Sequence, residues 1–139
     1  MAAATKFNSF VEDVFEKVHN LGSDTLKVML TNSAPLVTNT VKADLTEISS
    51  GNGYTAGGTA ASISSSAQSS GTYKLVLADV TWTASGGSIG PFRYATLYND
   101  TAASDQLIMF WDYGSSVTLA AGESFTWDAD ATNGIIQAS

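Results

Sequence analysis

The sequence predicts a mainly β protein: an antiparallel β-sandwich of jelly-roll type, with about eight strands and one N-terminal amphipathic helix. Three observations carry this. Short alternating or β-branched runs recur at spacings near ten residues, separated by Gly, Ser and Asn turns. Nothing alternates as parallel β-α-β units, and no internal repeat has a fixed period. Finally, the 139 residues are 44% hydrophobic, enough for one domain with its own core.

The helix is expected over residues 5–21. Phe7, Phe10, Val11, Val14, Phe15, Val18 and Leu21 recur at steps of three and four, which places them on one stripe. Glu12, Asp13, Glu16 and Lys17 fall opposite, and Gly22 is placed to stop the helix. The stripe fits core contact, and also docking onto a partner. The chain therefore divides into a helical segment, 1–22, and a sandwich, 23–139, within a single domain, 1–139.

From residue 25, TLKVMLT alternates as a strand, and the turn around Pro35 ends it. Asp44 and Glu47 have capping-box spacing and predict one short helical turn. Residues 49–71, SSGNGYTAGGTAASISSSAQSSG, carry no charge. Only about one strand and a helix precede them, too little for a separate domain, so the stretch reads as an edge strand with long loops rather than a linker. In GTYKLVLADVTWTAS the alternation shifts near Asp79, as at a bulge or tight connection. Gly90-Pro91 marks the start of FRYATLYND. QLIMFWDYG is apolar on both faces, as in a strand covered on both sides. SSVTLAAGESFTWDAD turns at Ala121-Gly122, and Asn133-Gly134 predicts a hairpin.

Composition narrows the chemistry. There is no cysteine, hence no disulfide, thiolate nucleophile or Cys-ligated metal. Net charge is −7, and after Arg93 no Lys or Arg occurs while six acids follow, which argues against nucleic acid as a ligand. Only 14% of residues are charged, against about 25% in ordinary domains, so the surface has little protection against sticking to a partner. No run approaches a membrane span, and MAAATKFNSF lacks the pattern of a secretory signal, so synthesis in the cytoplasm is expected.

His19 is the only histidine, and no GxSxG-like elbow surrounds any serine. It is placed near the helix C-terminus, where a cation suits the dipole. Asp128 and Asp130 begin a string that misses the calcium-loop pattern, with Asn133 and Ser139 where Gly and Glu belong. A shared solvent face with Thr126 explains them, leaving a weak calcium site as the alternative. Asn99-Asp100-Thr101 has the letters of a glycosylation sequon. Trp82, Tyr94, Tyr98, Phe110, Trp111, Tyr113 and Trp127 sit on alternating strand positions and read first as core, second as a sugar platform. Tyr54, isolated among glycines, reads as an exposed anchor at a contact. No catalytic, cofactor-binding or metal-ligating residue is assigned, and no enzyme activity is expected.

The strings FNSFVEDVFEKVHNLGSDTLKVMLTNSAP, ADLTEISSGNGYTAGG, SSGTYKLVLADVTWTASGGSIGPFRYATLYNDT and WDYGSSVTLAAGESFTWD resemble a group of small tailed-phage and prophage virion proteins. In particular they resemble jelly-roll capsid cement, or decoration, proteins. The resemblance covers nearly the whole chain. It implies a non-enzymatic protein on the outer surface of an icosahedral head, binding the major capsid protein and itself, with a dimer expected ahead of a trimer. The alternative is a tail- or fibre-associated carbohydrate-binding module. The partner-contact residues expected are Tyr54, Thr55, Gly57, Gly58, Thr59, Ile63, Phe7 and Phe10. On this reading the uncharged stretch lies flat against the capsid or a sister subunit, and deleting residues 56–67 leaves the monomer folded.

Overall fold

The computed structural model describes residues 3–139. Its architecture is mainly β and antiparallel, as the alternating runs predict. In chain order the elements are strand β1 (Ala4–Lys6), helix α1 (Phe10–Phe15), β2 (Leu26–Thr31), a 3-10 turn (Lys42–Asp44), β3 (Thr59–Ala60) and β4 (Ile63–Ser69). Then follow β5 (Thr72–Leu77), β6 (Val80–Thr83), β7 (Ile89–Asn99), β8 (Leu107–Leu119), β9 (Ser124–Trp127) and β10 (Ile136–Ala138). They form a five-stranded sheet, β1-β8-β7-β2-β3, a three-stranded sheet, β10-β5-β4, and a two-stranded sheet, β6-β9.

One main core draws on all three sheets. Leu26, Val28, Leu30 and Leu97 come from the first, Leu75 and Leu77 from the second, Val80, Trp82 and Trp127 from the third. Each of these side chains is almost fully removed from water, and each such burial stabilises the fold by roughly 1.5–3 kcal/mol. The other face of the five-stranded sheet holds a smaller cluster of Phe7, Met29, Tyr98 and Leu107, with Leu45 and Phe110 packed against it. This second cluster explains why β8 is apolar on both faces.

The N-terminal segment departs from expectation. The helix is six residues long, not the whole of 5–21. Residues 4–6 instead form β1 along the edge of β8, with Ala4 opposite Trp111 and Lys6 opposite Met109. Phe7 and Phe10 then enter different clusters. A single helical stripe cannot reach two cores on opposite faces of a sheet, so the pattern is broken between them. Ser9 provides no side-chain cap, and Lys17 takes a left-handed φ of 67°, ending the helical course well before Gly22. Tertiary pairing thus overrides a short, β-branched helical pattern.

Two turns also differ, and the uncharged stretch holds two edge strands where one is expected. The 3-10 turn lies ahead of the expected capping box: Asp44 Oδ2 accepts from the Thr40 N–H at 2.9 Å and the Val41 N–H at 3.3 Å, closing the turn from its end. The uncharged stretch forms two strands in two different sheets, with β3 and β4 each at an edge. Asn133-Gly134 does not close a hairpin, because β9 pairs with β6 while β10 pairs with β5. The shift at Asp79 is a crossing between sheets: the chain leaves β5 and enters β6 there, and Asp79 Oδ1 accepts from the Ala129 N–H at 2.8 Å. Gly90-Pro91 lies just inside β7.

Candidate functional site

The residues expected at a partner contact are dispersed, and several are buried. Phe7 and Phe10 are core residues, with 0% and 5% of their surface exposed, so neither can anchor a partner. Tyr54 is 2% exposed and is not an external anchor. Its hydroxyl donates to Glu47 Oε1 at 2.6 Å and accepts from the Leu30 N–H of β2 at 3.0 Å. The same carboxylate oxygen accepts from the Gly57 N–H at 2.6 Å, and the Gly57 carbonyl accepts from the Tyr98 hydroxyl at 2.6 Å. Lys42 Nζ lies 3.4 Å from the second Glu47 oxygen. Burial and the Glu47 carboxylate push the Tyr54 hydroxyl pKa up, so it stays a donor throughout the physiological range.

These bonds fasten the glycine-rich loop to the five-stranded sheet. Thr55 and Thr59 are exposed, while Gly57, Gly58 and Ile63 are half-buried. Ala61 is part of the main core. Residues 56–67 are therefore structural, and their deletion would remove β3, most of β4 and a core residue. The expectation that the monomer survives it is corrected.

His19 lies beyond the helix end and is buried. Asn99 Oδ1 accepts from the Thr101 and Ala102 N–H groups, which turns its amide NH2 towards His19 Nδ1 at 3.0 Å and Asp24 Oδ2 at 2.7 Å. Nδ1 is thus an acceptor, and the ring proton sits on Nε2, 3.9 Å from Asp13 Oδ2. Burial holds the His19 pKa below its ordinary 6.5, with Asp13 and Asp24 opposing the shift. A group kept neutral by folding contributes stability above its unfolded pKa, and that contribution is lost as pH falls from 6.5 towards the lower folded value. The urea midpoint of the wild type should fall as pH drops below 6.5, before the carboxylates titrate, and His19→Gln should flatten that part of the profile. A wild-type midpoint flat between pH 7 and 5 would contradict the buried neutral imidazole. Asn99, fully buried, has no surface on which a glycan could be attached.

Among the described residues no three His, Asp or Glu side chains form a group that would hold a metal ion. Asp130 is taken up locally: its Oδ1 accepts from the Thr132 and Asn133 N–H groups at 2.9 Å, which holds its pKa below the ordinary value. Asp128 is exposed, as expected of the solvent face.

Two surface features emerge, one on the predicted helical stripe and one among the aromatic residues that read first as core and second as a sugar platform. The first is a short apolar strip on α1. Phe15 is 83% exposed and Val11 41%, and they lie four residues apart on one side of α1. Leu36 and Val37 are exposed as well, at a corner tied to the helix start by the Asn8 N–H donating to the Val37 carbonyl at 2.9 Å. Val11 and Phe15 belong to the predicted stripe but point outward, because Phe10 alone takes the helix's buried position. Two adjacent apolar residues after Pro35, outside any strand pattern, were the available signal for the rest.

The second is an aromatic groove of about 320 Å3 between β7, β8 and β9. Trp111 and Trp127 meet edge to face in its depth, 5.0 Å between ring centroids. Tyr113 and Phe125 meet the same way at 5.4 Å. Trp82, Trp111, Trp127 and Tyr98 are buried as core, while Tyr113 is 57% exposed. Arg93 donates to both oxygens of Asp112, at 2.8 and 3.0 Å, which holds the Asp112 pKa down.

No family profile matches this chain, and neither a curated protein nor a solved structure matches it. No helix among the described residues is long and apolar enough to cross a membrane.

Proposed function

We propose that this chain is a non-enzymatic capsid cement protein of a tailed phage or prophage. It attaches to the outer surface of the icosahedral head and bridges neighbouring major capsid protein subunits. The resemblance of the sequence supplies the biological setting. The observation that carries the reading is the exposed strip of Val11 and Phe15 on α1, with Leu36 and Val37 exposed at the corner bonded to the helix start. A large aromatic ring left 83% in water beside a second exposed apolar residue supports a surface that is covered in use. Edge strand β4, ISSSAQS, adds to it: it has no charge or Pro to discourage pairing with another chain, which suits association of two copies. Many copies on one shell would turn modest contacts into firm attachment.

Co-sedimentation of the purified protein with undecorated shells of its phage tests the proposal. Saturation at a fixed number of copies per shell is expected. Phe15→Asp should weaken binding at least tenfold, while its thermal midpoint stays within about 3 °C of wild type, since an exposed position contributes little to folding. Absence of wild-type binding at micromolar concentration would refute the cement reading. Undiminished binding by Phe15→Asp would remove the strip from the contact.

A further inference from the structure

We infer that the aromatic groove between β7, β8 and β9 is a binding site for one pyranose unit of a neutral glycan. The site is separate from the apolar strip and does not depend on the cement reading.

The groove has the size of a small-ligand site. Its 320 Å3 lies at the low end of the roughly 300–1,000 Å3 usual for small-molecule pockets, which suits a single sugar ring. Its depth is aromatic, formed by Trp111, Trp127 and Phe125, and its rim carries Arg93 and Asp128. A pyranose has an apolar C–H face and an edge of hydroxyls. The exposed Tyr113 and half-buried Phe125 take the first, over a floor closed by the buried Trp111 and Trp127, and a guanidinium donor with a carboxylate acceptor takes the second.

Tyr113 is the part that separates a built site from an accident of packing. Its ring is 57% exposed, yet its place is fixed from both sides. Asp112 Oδ1 accepts from the Gly114 N–H at 2.8 Å, bracketing Tyr113 between the two residues. The Asp112 carboxylate is itself gripped by Arg93, and the tyrosine ring packs edge-on against Phe125. A ring held in water is a preorganised platform, and little entropy is lost when a ligand stacks on it. Arg93 uses Nε and Nη2 on Asp112, which leaves Nη1 to donate to a ligand. Charge selects the ligand class: with a net charge of −7 and Asp128 at the rim, an anionic sugar would be repelled.

The test is a titration of the full-length protein with methyl α-glucoside, methyl β-galactoside and methyl N-acetyl-β-glucosaminide, read by tryptophan fluorescence and by amide chemical shifts. Saturable millimolar binding of at least one, with shifts centred on residues 93, 113 and 125–128, is expected. Tyr113→Ala and Asp128→Asn, both at exposed positions, should each weaken it at least fivefold while leaving shell binding unchanged and the thermal midpoint within about 5 °C of wild type. No saturable response to any of the three overturns the assignment. So does binding that persists unchanged in both variants, or a groove that responds to indole but to no sugar, which would make it a socket for an apolar side chain. Phe15→Asp should leave sugar binding untouched, so failure of the cement reading and failure of this site are told apart.

Discussion

Gly58→Ala should destabilise the protein by roughly 3 kcal/mol or more. Gly58 has φ +76°, a conformation that by itself costs an L-residue about 1 kcal/mol. A methyl group there would also overlap the Val28 carbonyl oxygen and lie 2.6 Å from its carbon and 2.8 Å from Met29 Cα. These are backbone atoms in the middle of β2, paired on one side with β7 and on the other with β3, so they have nowhere to move. Gly122→Ala provides the comparison: φ is +92°, and no atom lies within 4 Å of the added carbon. It should show the backbone cost alone, about 1 kcal/mol. Urea unfolding of the two variants separates the contributions. Equal losses would mean that the loop does not lie as closely on β2 as described.

Tyr54→Phe should cost about 2–3 kcal/mol, although it removes a single oxygen. That oxygen satisfies the buried Leu30 N–H and donates to Glu47, which in turn holds Gly57. Phenylalanine keeps the packing against Trp82, 6.3 Å between ring centroids, and leaves a buried N–H without its partner and a carboxylate short of a donor. The loss should be accompanied by faster amide exchange at Gly57 and Gly58. Thr55→Ala, at an exposed position next door, should stay within about 0.5 kcal/mol of wild type. A Tyr54→Phe variant as stable as wild type would mean that water replaces the hydroxyl and that the loop is not fastened through it.

The two predictions concern residues that the letters cast as surface contacts. An isolated tyrosine among glycines looks like an anchor left in solvent. The same letters describe a tyrosine whose glycine neighbours let the backbone lie close on a sheet. Only the position of β2 and of Glu47 decides between them, and neither is near Tyr54 in a one-dimensional pattern of hydropathy.

Local chemistry by itself determined the fold class. Alternation with period two, β-branched residues and turn residues at short spacings are consequences of backbone geometry, and they placed β2, β5, β6, β7, β8 and β9 close to where they lie. The double-sided apolar run in β8 announced a strand covered on both faces, and the break at Asp79 announced a change of course. Composition likewise determined that no cysteine chemistry is possible and that the surface is acidic and weakly charged. Only the tertiary structure decided which strands pair. The non-local ladders β1 with β8 and β10 with β5 depend on chain segments far apart in sequence, and they overrode the helical stripe and the Asn133-Gly134 hairpin signal. It also decided which aromatic rings are left in water. Phe7, Phe10 and Phe15 are alike in the sequence, yet two fill cores on opposite sides of a sheet and the third stands outside both. A side chain's burial is set by what the rest of the chain brings to it, and a hydropathy period records only which side of its own element it occupies.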